Sequence, residues 1–318
     1  MTESSRPPGT MGSNPLKVAF LGLGALGEPM AANLLTAGVA LTVHNRTRAR
    51  EEPLAARGAR RAATAAAAAA DADLLAICVS DGPDVEAVLF GADGAAEALR
   101  PGALVVDFSS IDPAVSQQLA ARLRLQGVAY LDAPVTGGTE GARAGSLSVL
   151  VGGAPADLER ARPVLEVVGG RITHFGPVGA GQQAKAVNQV LLAGSYTAVA
   201  EGLSLAKRLG LPLDLLVEAL KGGAAGSWAL EHRSGAMVSG HFPLGFKLEL
   251  HRKDLGIALA AASALQLELP ISAQVAAIED ELIAAGFGTE DVAALARWYG
   301  QSQGPTGSVR TAPGTLRS

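Results

Sequence analysis

At 318 residues the chain exceeds what one small core serves and points to about two domains. With 48% hydrophobic and 18% charged residues it is globular, and a net charge of −4 without a dense Lys/Arg cluster excludes a nucleic-acid surface. The single cysteine, Cys78, excludes an internal disulfide and a cysteine-based zinc site, and a reducing cytoplasm is the expected location. Residues 1–15 are rich in Ser, Pro and Gly without a signal-peptide-like apolar stretch, and a disordered tail is expected there. A strand is predicted over 18–21, a helix over 28–38 and a second strand over 40–43. Further strands are predicted at 74–79, at 104–108 and around Tyr130, with helices between them, among them the alanine run 62–70. Alternating apolar strands and helices predict an α/β domain over 16–176, a doubly wound parallel sheet of Rossmann type, with strands 148–152 and 172–174 at its far edge. From 181 to 209 there is no proline and apolar residues recur at helical spacing, so a long helix is predicted. Residues 177–300 read as an all-α C-terminal domain, and 301–318 as a second disordered tail. No window of about eighteen apolar residues reads as a membrane span.

The link between the first strand and helix is Gly22-Leu23-Gly24-Ala25-Leu26-Gly27. In a βαβ unit such a turn binds a dinucleotide. Gly22 permits the tight turn, Gly24 lets the backbone approach a pyrophosphate, and Gly27 lets the helix pack on the sheet. The helix N-terminus then faces the phosphates. A cofactor with a free ribose 2′-hydroxyl usually meets an acid at the end of the second strand. This chain instead has His44-Asn45-Arg46-Thr47. Arg46 suits a 2′-phosphate, with Asn45 and Thr47 adding hydrogen bonds, so NADP is favoured over NAD.

Three later segments gain specificity only in combination. Asp132-Ala133-Pro134-Val135-Thr136-Gly137-Gly138 ends a strand, and its glycine N–H groups beside a hydroxyl form a nest for a carboxylate. By itself a Gly-Gly turn is structural. Lys185 and Asn188, near the start of the long helix, share a face with Gln182 and Leu192. A lysine facing a cleft can exchange protons with a hydroxyl, whereas an exposed Lys-Asn pair carries no chemistry. The third segment, 246–255, reads as an amphipathic helix. The five histidines are dispersed and no metal site is expected.

Together these motifs, with Asp107-Phe108-Ser109-Ser110-Ile111-Asp112-Pro113, resemble the β-hydroxyacid dehydrogenases over roughly residues 16–300. That family includes 3-hydroxyisobutyrate dehydrogenase and tartronate semialdehyde reductase and is related to 6-phosphogluconate dehydrogenase. The resemblance implies an NAD(P)-dependent oxidoreductase acting on a short 3-hydroxy acid or its semialdehyde, a small carboxylate-bearing substrate. It implies Lys185 as general acid and base, Asn188 as an orienting residue, and Thr136, Gly137 and Gly138 as the substrate-carboxylate loop, where serine is more usual than threonine. It also implies cofactor contacts from Ser110, from Val79 and Ser80, and from Lys253 near the nicotinamide, with Ser110 placed at the substrate too. Trp228, in Gly226-Ser227-Trp228, matches a segment that reaches the substrate, commonly from a partner subunit. A homodimer or homotetramer through the helical domain is therefore expected. Two other readings stay open: an NADPH-dependent imine reductase, which usually carries aspartate or tyrosine at the Lys185 position, and a non-catalytic NADP-binding scaffold.

Overall fold

The computed structural model describes residues 16–301, so the expected tails lie outside it except at Gln301, which closes the last helix, Ala296–Gln301. The chain forms two compact units that divide between Gln189 and Val190, inside the helix Ala180–Arg208.

The first unit is built on a sheet of β1 (Lys17–Leu21), β2 (Ala40–His44), β3 (Arg60–Arg61), β4 (Leu74–Ile77), β5 (Leu104–Asp107), β6 (Ala129–Asp132), β7 (Val135–Thr136), β8 (Leu147–Gly152) and β9 (Gly169–Gly176). The strand order is β3-β2-β1-β4-β5-β6-β8-β7, with β9 also paired to β8. β4 and β5 are buried throughout, as expected for central parallel strands covered on both faces. Alternate residues of β1 enter opposite cores. Val18 and Phe20 pack with Met30, Leu34 and Leu165, while Ala19 and Leu21 pack with Val85, Leu89 and Leu119. Helices Gly27–Thr36 and Pro155–Val168 thus cover one face, and Gly82–Phe90 and Pro113–Arg124 the other, each of the latter pair capped by an aspartate side chain, Asp81 or Asp112.

The strands from β3 to β6 are parallel, but β8 runs antiparallel to both β6 and β7, so the far edge reverses direction. Alternation marks a strand without giving its direction. The alanine run yields only a short helix, Ala65–Ala69, begun by the Thr64 side chain accepting the Ala67 N–H. Strand register aligns the C-terminal ends: Leu21 pairs with both His44 and Ile77, Ile77 with Asp107, and Asp107 with Asp132. Five parallel strands therefore end in one row.

The second unit is helical. Leu203, Leu248, Leu255, Val275, Ile278, Leu282 and Leu295 form its core. The side chains of His251 and Glu279, both fully buried, meet through a hydrogen bond within it, and the Asp291 carboxylate accepts the N–H groups of Gly245 and Phe246.

Candidate active site

The predicted residues of the first unit gather just past that row of strand ends, where open α/β sheets bind their ligands. At β1 the Gly22 N–H donates to the His44 carbonyl at 3.2 Å. Gly22 has φ +92°, and a Cβ there would stand 2.2 Å from the Cys78 carbonyl oxygen. A Cβ on Gly27 would stand 2.0 Å from the Gly22 oxygen. Both glycines are required by the protein itself. Gly24 differs: a Cβ there would meet no atom of the protein within 4 Å. Its open side, next to the helix Gly27–Thr36, which lacks a side-chain cap, fits a pyrophosphate held by backbone N–H groups. Leu23 is buried and its N–H is taken by the Asn45 side chain, so it shapes the turn; Ala25 is exposed and Leu26 half-buried.

At β2 the Asn45 side chain braces the turn. Its Oδ1 accepts the Leu23 N–H at 2.8 Å and its Nδ2 donates to the Thr47 carbonyl at 2.9 Å. Arg46 projects outward, its side chain 89% exposed and 3.3 Å from the Asp84 carboxylate. Thr47 is exposed. Beneath them the fully buried Glu51 accepts the Asn45 N–H and pairs with Arg48 and Arg61, a network absent from the sequence expectations.

At β4, β5 and β6 the turns are tied together. The Val79 N–H donates to Ser109 Oγ at 3.0 Å, and exposed Ser80 comes next in the chain. The Ser109 N–H donates to Asp107 Oδ1 at 2.9 Å, and the Tyr130 hydroxyl to Asp107 Oδ2 at 2.9 Å. Burial pushes the Asp107 carboxyl up from 3.8 to about 6, against those two hydrogen bonds, which lower it. Asp132 is also buried and raised by burial. It receives the N–H of Gly179 at 2.8 Å and of Gln182 at 2.9 Å, anchoring the first turn of the helix that carries Lys185.

Lys185 is 8% exposed and its Nζ donates to the Val135 carbonyl at 2.9 Å. It is thereby held against the residue preceding Thr136-Gly137-Gly138, whose glycines have φ +134° and +63°. Asn188 is half-buried, and its Nδ2 donates to Gln189 Oε1 at 2.7 Å. Gln182 binds the backbone on both sides of Ser110, at Ser109 and Ile111. The structure thus brings Lys185, the Thr136 turn, the Ser110 loop and the Val79 turn into one connected set. Trp228 and Lys253 belong to the second unit. Trp228 opens helix Trp228–Ser239, stacked on His232 at 4.7 Å between ring centroids, with the Arg233 guanidinium 4.7 Å over its ring. Lys253, in helix Leu248–Ala264, pairs with Asp254 at 2.9 Å. Among the described residues no three His, Cys, Asp or Glu side chains are grouped to hold a metal, and no helix is long and apolar enough to cross a membrane.

Asp107, Asp132 and Gln182 enter the sequence expectations only inside longer motifs or faces. The signal for the two acids was present, since each ends a strand otherwise made of apolar residues. The raised Asp107 value has a measurable consequence. Because the folded value exceeds the unfolded one, Asp107 favours the fold most below about pH 3.8, and that contribution is lost as pH rises through about 6. Relative to Asp107→Asn, the wild-type chain is expected to lose about 2 kcal/mol of unfolding free energy between pH 4.5 and 7.5, at about 1.4 kcal/mol per pH unit. Urea titrations of both chains at the two pH values check this, and a constant difference would refute it.

Residues 17–176 match the family model described as the NAD binding domain of 6-phosphogluconate dehydrogenase. Residues 179–299 match that described as NAD-binding of NADP-dependent 3-hydroxyisobutyrate dehydrogenase. The chain is 42% identical to the 2-hydroxy-3-oxopropionate reductase of Escherichia coli over 81% of this chain and 88% of that one. It is 36% identical to the 2-(hydroxymethyl)glutarate dehydrogenase of Eubacterium barkeri over 91% and 96% respectively. A crystal structure of 3-hydroxyisobutyrate dehydrogenase from Salmonella typhimurium superposes with a TM-score of 0.82 at 33% identity, covering 89% of this chain and 99% of that one. Both halves of the chain, the strand-and-glycine-turn unit and the helical unit, thus have the same kin: the chain belongs to the β-hydroxyacid dehydrogenases, a family of NAD(P)-dependent oxidoreductases.

Proposed function

We propose that the chain interconverts a short 3-hydroxy acid and its semialdehyde, with Lys185 moving the proton and NADP preferred over NAD. The observation that carries this reading is the seating of Lys185: a nearly buried ammonium, held by the Val135 carbonyl, directly beside the Thr136-Gly137-Gly138 turn. The names of the relatives, a hydroxy-oxopropionate reductase and a 3-hydroxyisobutyrate dehydrogenase, support the substrate class.

When bound, the nicotinamide supplies the hydride acceptor or donor. The chain's own residues hold the substrate and handle the proton. The Thr136 hydroxyl and the N–H groups of Gly137 and Gly138 receive the substrate carboxylate. Lys185 Nζ gives a proton to the carbonyl oxygen during reduction and takes it from the hydroxyl during oxidation. Asn188, Ser110 and Trp228 orient the reacting carbon. Residues 22–27, the Val79-Ser80 turn, Ser110 and Lys253 hold the dinucleotide, and Arg46, with Asn45 and Thr47, receives its 2′-phosphate. In this reading residues 16–176 form the NADP-binding domain and 177–300 the helical substrate and dimerisation domain.

Two copies are proposed to pair through the helical domain. Helix Leu213–Leu220 buries none of its residues, Leu215 is 68% exposed, and Leu191, Leu205 and Leu209 are exposed as well. A monomer by light scattering at micromolar concentration would refute the pairing.

The test of function is NADPH oxidation, monitored by absorbance, with succinic semialdehyde, glyoxylate, tartronate semialdehyde, methylmalonate semialdehyde and a cyclic imine, each repeated with NADH. Fast turnover of one carboxylate-bearing aldehyde with NADPH preferred is expected. Turnover of the imine alone, or of nothing despite tight NADPH binding, overturns the reading.

A further inference from the structure

We propose that Gln182 is a positioning residue for the reaction, fixing the Ser110 loop to the Lys185 helix; this rests on the reading of Lys185 as proton carrier. Gln182 lies one turn before Lys185 on the same helix face and is 2% exposed. Its side-chain amide is spent entirely on one loop: Nε2 donates to the Ser109 carbonyl at 2.8 Å and Oε1 accepts the Ile111 N–H at 3.1 Å. Those two peptide groups flank Ser110, so a single planar amide grips the backbone on both sides of it.

The other ends of this bridge are already fixed. From the sheet side, Ser109 is held by Asp107 and by the Val79 N–H. The helix start is held by Asp132, which accepts the Gln182 backbone N–H itself. The pairing of β5 with β6 already holds the two anchored pieces side by side, and Gln117 bonds the Val178 carbonyl before the helix; the Gln182 side chain is the tie that reaches the backbone around Ser110 itself. Its geometry sets the separation between Ser110 and Lys185, and through it the alignment of proton carrier, substrate carbon and nicotinamide. Misplacement of about 1 Å at such a distance costs on the order of a hundredfold in rate.

Gln182→Met keeps the bulk of the side chain and removes both hydrogen bonds. Gln182→Glu, when ionised, keeps the acceptor for Ile111 and sets an oxygen against the Ser109 carbonyl; when protonated, it restores the donor as well. The carboxyls of Asp107 and Asp132 and the Lys185 ammonium surround the same turn, so each variant is read as a ratio to wild type at the same pH. The measurement is kcat and KM for the best semialdehyde, NADPH Kd and Tm, from pH 5.5 to 8. For Gln182→Met we expect kcat down about tenfold to a hundredfold, with NADPH Kd and KM within about threefold. For Gln182→Glu we expect the same loss at pH 8 and recovery of about fivefold or more at pH 5.5, a recovery Gln182→Met does not show.

Retention of kcat within about twofold in both variants, whatever happens to Tm, overturns the proposal. So does a parallel fall of kcat and NADPH affinity at every pH. If Gln182→Met does not fold, Gln182→Glu decides alone: recovery on acidification supports the proposal, and a flat ratio overturns it. Failure of the underlying reading looks different, because the wild-type chain would then turn over no carboxylate-bearing aldehyde, or Lys185→Met would keep wild-type turnover.

Discussion

Lys185→Met is expected to lower kcat by about two decades or more while leaving the NADPH Kd within a few-fold of wild type, the loss typical of a missing general acid–base. Methionine preserves the unbranched stem that packs in the nearly buried site and removes only the ammonium bound to the Val135 carbonyl. In the proposed reading dinucleotide binding rests on other elements, chiefly the turns after β1, β2 and β4, so the variant separates proton transfer from cofactor affinity. Stopped-flow reduction with NADPH, together with a fluorescence titration of the cofactor, makes the separation. Equal losses in both quantities would mean that the lysine braces the Thr136 turn and carries no proton. The Val135 carbonyl would then be left without this donor, and the whole nest would loosen.

The parts of the molecule that were legible in the sequence are those where one local signal decides. Apolar runs buried on both faces announce the central strands, whose expected ends at Val79 and Phe108 lie one or two residues beyond the observed ends at Ile77 and Asp107. There the backbone still bonds to the sheet, the Phe108 N–H to the Ile77 carbonyl, before the chain turns away. β3 is a pair of exposed arginines, and nothing apolar announces it. The reversed direction of β8 depends on the chain entering it after the helix Gly138–Ala144, a matter of tertiary path.

At the candidate site, the glycine turn, Lys185 and the Thr136 turn are legible in the sequence because motif spacing carries the chemistry proposed for them. Gln182 was visible only as a neighbour on the lysine's face. Its partners, Ser109 and Ile111, are more than seventy residues away, and no periodicity reports a hydrogen bond across that distance. Asp107 and Asp132 illustrate the same limit, because burial and partners, which give them their roles, come from the folded sheet.

Gly24→Ala is expected to weaken NADPH binding by about tenfold or more while leaving Tm within about 2 °C of wild type, since filling a close-packed contact costs roughly 1–3 kcal/mol. The three glycines of the turn make this a controlled comparison. A methyl group at Gly22 or Gly27 collides with backbone oxygens at 2.2 and 2.0 Å, so those variants damage the fold whether or not a ligand binds. At Gly24 the added carbon meets no atom of the protein within 4 Å, and its backbone needs no positive φ. The folded chain therefore tolerates alanine there, and loss of unfolded-state freedom offsets any small cost. An effect on binding without an effect on stability has one physical source, a ligand whose backbone contact requires the missing Cβ. A titration of Gly24→Ala with NADPH, beside thermal melts of both chains, reads the two quantities separately. Unchanged affinity would place the pyrophosphate elsewhere and reduce the turn to a structural one, because nothing else near Gly24 would then need the residue to be glycine.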